Sequence, residues 1–229
     1  MRRPTPRRGW FVTFEGPEGA GKTEQARRLH DLAVEAGLPV VLTREPGGTP
    51  LGEAIRGILL AGDAAFADPR ADALLFNAAR AQLVAEVIGP ALARGELVVS
   101  ARFADSTLAY QGYGAGLPLD ELRAVAAFAT GGLTPDLTIL LDLPIEDGLR
   151  RKAASAEENR FEAAFERGFH ERVRAGFLAL AAAEPTRFVV VDARFEPDAV
   201  FAAVLRALER LPDLARRLLG PRVVGSRGR

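Results

Sequence analysis

A glycine-rich stretch near the start of the chain has the residue types and spacing that phosphate binding requires. A glycine, four further positions and a Gly-Lys-Thr triplet form the segment Gly16-Pro17-Glu18-Gly19-Ala20-Gly21-Lys22-Thr23. Glycines permit a tight turn in which successive backbone N–H groups point at phosphate oxygens. Lys22 offers a positive charge to the β- and γ-phosphates, and the Thr23 hydroxyl suits Mg²⁺. The segment therefore predicts a site for a nucleoside triphosphate and magnesium.

The segments that flank this loop provide the structural context it needs. Residues 10–14 are an apolar run typical of a buried strand, and residues 23–35 carry apolar side chains at helical spacing. A helix that starts at the loop adds the positive end of its dipole to the anion site. The alternative, a chance glycine-rich turn, would not need a strand before it and a helix after it.

Composition limits the other possibilities. The 229 residues are 48% hydrophobic, enough for a sizeable core, and their formal net charge is zero, which argues against a broad nucleic-acid or membrane surface. Cysteine is absent, so disulfides and thiolate metal sites are excluded. No apolar run is long enough to span a bilayer and no signal peptide is recognisable, so a cytoplasmic protein is expected.

Alternating strands and helices define the expected fold. After the first strand, apolar strands are predicted at residues 40–43, 97–100, 137–141 and 188–191, with helical patterns between them. This alternation predicts an α/β fold of the P-loop NTPase class, in which a parallel five-stranded sheet is flanked by helices. We expect one domain over residues 10–211, a disordered tail at 1–9 and a flexible tail at 212–229.

Three unusual turns follow the first three strands, at residues 16–23, 44–49 and 101–112. In parallel sheets the carboxyl ends of the strands meet at one edge, where ligands bind. The three turns are therefore expected to form one site.

Two of these turns also carry a family resemblance. The segments Thr43-Arg44-Glu45-Pro46-Gly47-Gly48-Thr49 and Asp105-Ser106-Thr107-Leu108-Ala109-Tyr110-Gln111-Gly112 resemble thymidylate kinase, and residues 75–82 and 160–162 extend the match. That family phosphorylates dTMP to dTDP with ATP and Mg²⁺ and is typically homodimeric. The resemblance covers nearly all of the chain between the tails.

The resemblance implies a dTMP site. Phe76 and Arg80 lie four residues apart, so they share a helix face; the resemblance assigns them to thymine stacking and to the thymine O4. On pattern alone, ordinary core and a surface charge would be the simpler interpretation. Arg102 would bind the dTMP phosphate with help from Arg44 and Arg56. The implied dTMP-binding residues are Glu18 near the 3′-hydroxyl, Arg44, Glu45, Arg56, Phe76, Arg80, Arg102, Ser106 and Gln111 at the base, and Tyr110 under the sugar.

Phosphoryl transfer also needs positive charge as the transition state forms. In the family that the chain resembles, this charge comes from an arginine in the phosphate loop or in a mobile lid. Positions 17–20 of the loop contain no arginine, so the resemblance implies a lid arginine at about 150–162. Arg150, Arg151 and Arg160 are the candidates, ahead of Lys152. The alternative is that this segment is simply a solvated helix end. The expected catalytic residues are Lys22, Arg102, Arg160, Arg151 and Glu18.

The chain departs from the family pattern after the third strand. Ala101 precedes Arg102 where the family usually has an aspartate near Mg²⁺ or its waters. Three explanations stay open. Another carboxylate partly compensates for the missing aspartate (Glu45, Asp105 or Asp142), the enzyme is slow, or residue 101 is an engineered change. The expected metal ligand is Thr23, with Glu45 or Asp142 as possible helpers. Asn159 and Phe177 are milder departures, at positions where aspartate and tyrosine are common.

The leading hypothesis is thus a thymidylate kinase that binds ATP, Mg²⁺ and dTMP and does not bind nucleic acid or membranes. Two alternatives stay open: a kinase for another nucleoside monophosphate, and a catalytically weak nucleotide-binding switch or scaffold. Consumption of ATP that requires dTMP would distinguish the thymidylate kinase from the switch or scaffold.

Overall fold

The protein is built on one parallel five-stranded sheet. In a computed structural model, residues 8–60, 68–153 and 167–220 are described, and the side chains of residues 152 and 153 are not. The strands are β1 (Phe11–Glu15), β2 (Val40–Arg44), β3 (Leu97–Ala101), β4 (Leu137–Asp142) and β5 (Phe188–Asp192), in the spatial order β2-β3-β1-β4-β5. The α/β fold and the five-stranded parallel sheet predicted from the sequence are confirmed.

Helices connect successive strands and cover both faces of the sheet. They are α1 (Lys22–Glu35), α2 (Pro50–Leu60), α3 (Pro69–Leu83), α4 (Gly89–Ala93), α5 (Ala104–Thr107), α6 (Leu119–Thr130), α7 (Ile145–Ala153), α8 (Arg167–Ala183), α9 (Pro197–Ala207) and α10 (Pro212–Leu219). Two π-helical turns, Val84–Ile88 and Leu108–Gly114, continue α3 and α5. Among the described residues, no helix is both long and apolar enough to cross a membrane.

The alternation of side chains along β1 creates two cores. Val12 and Phe14 point to the face that packs against α1, α9 and α10. Phe11 points to the opposite face, where its ring meets Phe103 edge-on at 4.9 Å between centroids. By the same period of two, Glu15 lies on the Phe11 face, at the carboxyl end of the strand.

Helix α10 corrects the predicted boundary of the C-terminal tail. Residues 212–219 are helical, and the helix buries Leu214, Ala215 and Leu218 against the α1 face of the sheet. The sequence predicted a flexible tail from residue 212, but Arg216 and Arg217 lie on the outer face of a helix whose apolar residues recur at helical spacing. At the other end, the backbone N–H of Gly9 donates to Leu92 O at 2.9 Å, so residue 9 packs on the domain. Residues 1–7 and 221–229 lie outside the described part.

The apolar side chains of helix α2 differ in burial. Ile55 and Leu59 are buried, whereas Leu51 and Ile58 are 49% and 56% exposed. The buried pair packs on α3 through Ala79. The exposed pair therefore belongs to a second, outward apolar surface.

A pair of leucines on α8 tests which contacts stabilise the fold. Leu180 is 1% exposed and Leu178 is 36% exposed. We expect Leu180→Ala to lower the free energy of unfolding by about 2–5 kcal/mol, because it leaves a cavity beneath the sheet. Leu178→Ala, the matched control on the same helix, should cost clearly less. Urea unfolding followed by circular dichroism measures both, and equal losses would contradict this assignment of the core.

Candidate active site

The phosphate-binding loop connects β1 to α1 and has a conformation that depends on glycine. Gly16 and Gly19 have φ angles of 140° and 69°, a region that side chains disfavour. A Cβ on Gly16 would lie 2.3 Å from the carbonyl oxygen of Leu141, so neighbouring backbone also excludes one. The loop thus lies tightly against the end of β4.

Lys22 and Thr23 occupy the first turn of α1. The Lys22 ammonium donates to the carbonyl oxygens of Gly16 and Pro17 at 2.8 and 2.7 Å, which holds it over the loop. Thr23 is exposed, so its hydroxyl is accessible to an ion at the helix N-terminus. A lysine over the loop and an accessible hydroxyl at the helix start fit the phosphates and magnesium of a nucleotide.

Glu18, Arg102 and Tyr110 form one cluster beside this loop. The Glu18 carboxylate accepts hydrogen bonds from the Arg102 guanidinium and from the Tyr110 hydroxyl. The guanidinium also lies 5.0 Å from the centre of the Tyr110 ring. Three residues predicted for the site are therefore brought together, although 84 positions separate Glu18 from Arg102.

Arg102 itself has an unusual backbone. Its φ of 73° is the only positive value at a non-glycine position among the described residues. Such a conformation costs an ordinary residue about 1–2 kcal/mol. Two hydrogen bonds compensate: Arg102 N–H donates to Phe14 O at 2.9 Å, and the Ser100 hydroxyl donates to Arg102 O at 2.7 Å.

Sequence reasoning missed Glu15, which has no exposed surface. Its carboxylate accepts from the backbone N–H groups of Phe103 and Ser106 at 2.7 and 3.2 Å and from the Ser106 hydroxyl at 2.6 Å. Burial, reinforced by the nearby Asp105 carboxylate, raises the pKa of Glu15 to about 7, and Ser106, Arg102 and Phe103 oppose the rise. The sequence does contain one signal, since Glu15 ends a strand of mostly apolar residues. Acidic side chains are rarely buried without partners, so a glutamate at that position indicates a specific partner.

Arg80 is also buried, with 1% of its surface exposed. Its guanidinium donates to the Glu45 carboxylate at 2.7 Å, to the Asn77 side chain at 2.8 Å, and to Phe103 O and the Thr107 hydroxyl at 3.1 Å. Burial raises the pKa of Glu45, and the charge of Arg80 opposes this. This network fixes the orientation of the guanidinium.

Phe76 lies one turn before Arg80 on α3. It is partly buried and packs against Ile55, Leu59 and Ala79. The ring thus packs toward α2, and the Arg80 guanidinium, one turn later, contacts the turns after β2 and β3.

Arg44 and Arg56 converge on a single acceptor, the carbonyl oxygen of Pro46, at 3.0 and 3.2 Å. Arg44 also donates to Glu53 at 3.2 Å. Arg44 is the register partner of Ala101 on the neighbouring strand. The two guanidiniums thus lie at the same sheet edge as the turn that carries Arg102.

The three carboxylates considered as substitutes for an aspartate at position 101 each form an ion pair. The pairs are Glu45 with Arg80, Asp105 with Arg187 and Asp142 with Arg174, all at 2.7 Å. The described residues contain no group of three acidic or histidine side chains arranged to hold a metal ion. Each of the three carboxylates is therefore held by an arginine in this structure.

Helix α7 carries the start of the predicted lid. Arg150 pairs with Asp147, and Arg151 donates to Ala193 O at 2.9 Å and Arg194 O at 3.2 Å, in the turn after β5. Arg160 and Asn159 lie outside the described residues, as do most of the expected lid and the side chain of Lys152.

Two further sequence predictions concern buried residues near Tyr110. Gln111 is 5% exposed and lies within the π-helical turn. Phe177 is fully buried, with its ring 6.1 Å from that of Tyr110. Phe177 thus contributes to the core beneath Tyr110.

Comparisons with known proteins agree with this geometry. A family model described as "Thymidylate kinase" matches residues 14–204. Among curated proteins, the chain is 54% identical to a thymidylate kinase from Thermomicrobium roseum (88% of this chain, 97% of the relative). It is 47% identical to one from Herpetosiphon aurantiacus (87% and 94%). A crystal structure of thymidylate kinase from Ehrlichia chaffeensis superposes with a TM-score of 0.71 at 33% identity, covering 87% of this chain and 98% of that one.

A close contact between α7 and the phosphate loop generates a prediction. A Cβ on Gly148 would lie 2.2 Å from Glu18 O, so an alanine there must displace the loop or the helix. We expect Gly148→Ala to destabilise the fold by about 1–3 kcal/mol and to weaken ATP binding. Isothermal titration calorimetry with ATP and thermal unfolding measure the two effects.

Gly57→Ala on α2 is the control, because apart from its chain neighbours and the backbone of its own helix nothing lies within 4 Å of its Cβ position. It should stabilise the helix by roughly 0.5–1 kcal/mol without changing ATP affinity. Unchanged ATP binding in Gly148→Ala would show that the loop does not depend on this contact.

Proposed function

This chain belongs to the thymidylate kinase family, and we propose that it transfers the γ-phosphoryl group of ATP to dTMP, yielding dTDP and ADP. The observation that carries the proposal is the junction of two elements at neighbouring strand ends. The phosphate loop after β1 and Arg102 after β3 are linked through Glu18. One element suits a triphosphate and the other a monophosphate, so their junction suits transfer between the two. Since ATP is the phosphoryl donor, we also assign the enzyme to the cytoplasm.

ATP binding is assigned to the phosphate loop. Backbone N–H groups of the loop, with the exception of Pro17, would surround the phosphates, and Lys22 would neutralise their charge. Thr23 would hold Mg²⁺ together with phosphate oxygens, since this ion commonly keeps few protein ligands. When bound, Mg²⁺ offsets negative charge on the transferred group.

The dTMP phosphate is assigned to arginines at the sheet edge. Arg102 is the principal ligand, because Glu18 and Tyr110 hold its guanidinium beside the phosphate loop. Arg44 and Arg56, which already share an acceptor, complete the anion site. Guanidiniums bind phosphate through paired N–H groups, which gives orientation as well as charge.

The nucleoside is assigned to α3 and the turn after β3. Phe76 stacks on thymine, and the buried Arg80 addresses its O4 while Glu45 holds the guanidinium. The remaining contacts are Ser106 and Gln111 at the base, Tyr110 under the deoxyribose and Glu18 near the 3′-hydroxyl. A ring beneath the sugar disfavours a ribose 2′-hydroxyl, which argues for a deoxynucleotide over the other nucleoside monophosphates.

The charge that the lid supplies is assigned to Arg160, with Arg151 second. Arg151 already donates to two backbone carbonyls after β5 and would have to leave them to reach the phosphates. The lid would also exclude water, which prevents hydrolysis of ATP. A switch or scaffold is disfavoured, because the relatives that match most of the chain are named as kinases.

The test is ADP formation from ATP with dTMP, with dUMP and with neither. We expect turnover that requires dTMP and that increases in Ala101→Asp, since an aspartate there can orient magnesium-bound water. A coupled assay for ADP measures both proteins. Steady ATP hydrolysis without an acceptor would favour the switch, and failure of dTMP to bind either protein would exclude the assignment.

We also propose a homodimer formed through the outward faces of α2 and α3. Leu51 and Ile58 on α2 and Leu74 on α3 are each about half exposed. The two helices pack side by side, so these side chains can form one apolar surface. A second copy of the chain would bury that surface from both sides.

Paired charges on this surface test the dimer. We expect Ile58→Asp with Leu74→Asp to convert the dimer to a monomer, because like charges would face each other across an apolar interface. Light scattering after size-exclusion chromatography measures the mass. Phe128→Asp is the control, since Phe128 is 92% exposed on α6. Dissociation by the control alone would place the interface on α6.

A further inference from the structure

Glu15 is not among the residues that the proposed function assigns to a substrate. It is the last residue of β1, directly before the phosphate loop, and it is fully buried. Its carboxylate reaches across to the turn after β3 and accepts three hydrogen bonds from Phe103 and Ser106. It therefore connects the strand that precedes the triphosphate loop to the turn that carries Arg102.

One of these bonds acts on the backbone immediately after Arg102, and the other two hold Ser106, a proposed contact to the base, in the same turn. The Phe103 N–H that Glu15 binds belongs to the peptide that begins at the Arg102 carbonyl. The Ser100 hydroxyl holds that carbonyl, and Phe14 O holds the Arg102 N–H. Arg102 is thus fixed on both sides in a left-handed conformation that a free chain would leave. Of these anchors, Glu15 is the one that can carry a charge.

We propose, on the basis of the proposed function, that Glu15 is a positioning residue that sets dTMP affinity by holding the Arg102 turn. Its carboxylate does not touch substrate in this assignment. It orients the turn so that the Arg102 guanidinium lies over Tyr110 and beside Glu18. The ATP phosphates are assigned to backbone N–H groups of the loop, which continues into α1 on the opposite face of the sheet, so ATP affinity should depend on Glu15 much less.

The charged surroundings of Glu15 make this role depend on pH. Asp105 repels its negative charge and Arg102 attracts it, while Arg187 binds Asp105 at 2.7 Å. Burial is the largest influence and places the pKa of Glu15 at about 7. Below that pH the carboxyl is protonated and becomes a weaker acceptor for the two N–H groups. The hydrogen bonds by which Glu15 holds the Arg102 turn should therefore become stronger as pH rises through neutrality.

The experiment compares the Michaelis constants for dTMP and ATP in the unaltered enzyme and in Glu15→Gln, from pH 5.5 to 8.5. In Glu15→Gln we expect the Michaelis constant for dTMP to increase about tenfold at pH 8, as for loss of a charged hydrogen-bond acceptor. The constant for ATP should change by less than about twofold. The phosphate of dTMP itself titrates near pH 6, which affects both proteins equally. The readout is therefore the difference between the dTMP profile of the unaltered enzyme and that of Glu15→Gln. That difference should disappear below pH 6.

Asp105→Asn is a second variant that does not remove the carboxylate of Glu15. Loss of its charge should lower the pKa of Glu15, so the dTMP profile should shift to lower pH and keep its shape. If Glu15→Gln does not fold, this shift and the profile of the unaltered enzyme still test the inference. Parallel dTMP profiles in all proteins, or equal losses for dTMP and ATP, would overturn it.

A failure of the proposed function would be recognised separately. If the unaltered protein does not phosphorylate dTMP, crystal structures of it and of Glu15→Gln still decide the local inference. A changed φ at Arg102 in the variant would support the role of Glu15 in the turn. A retained positive φ would overturn it.

Discussion

The pairing of β1 with β3 is the constraint on which the site depends. Phe14 and Ala101 are register partners, and Arg102 N–H continues the same ladder to Phe14 O. This pairing places the phosphate loop and the Arg102 turn at adjacent strand ends, although more than 80 residues separate them in sequence. The chain between them passes through β2, which lies outside β3 in the strand order, and ligands of such sheets bind where that order reverses. A register slip of one residue would turn Glu15 away from the 102–106 turn.

Charge at this sheet edge is neutralised in pairs. Glu45, Asp105 and Asp142 each meet an arginine, so the fold buries or half-buries these carboxylates without leaving them unpaired. The Glu18–Arg102 pair keeps some exposure, 11% and 17% of the respective side chains. An incoming phosphate can therefore compete for Arg102 more readily than for the fully buried Arg80. The difference in burial separates an arginine suited to an exchangeable anion from one that is held by the protein.

Much of this architecture could be predicted from the sequence because its signals are local. The glycine pattern of residues 16–23, the five apolar strands and the Phe76–Arg80 spacing each depend on neighbours along the chain. The errors arise where tertiary packing decides. Residues 212–229 contain five arginines and three glycines, so the apolar stripe of α10 was mistaken for part of a tail. Glu15 was missed because its partners are about 90 positions away.

The absence of an aspartate at position 101 has a specific consequence in this structure. Ala101 is 5% exposed at the end of β3, and two carboxylates considered as substitutes for the aspartate, Glu45 and Asp142, are each paired with an arginine. The site therefore has one negative charge fewer than the family pattern, while the arginines proposed for dTMP are all present. Removing a negative charge beside two phosphate groups favours their binding, because it lowers the repulsion between them and the protein. It also removes a group that could orient magnesium-bound water. The two effects act on different steps, so we propose that this chain binds its substrates well and loses rate in the transfer itself, where charge must be placed most accurately.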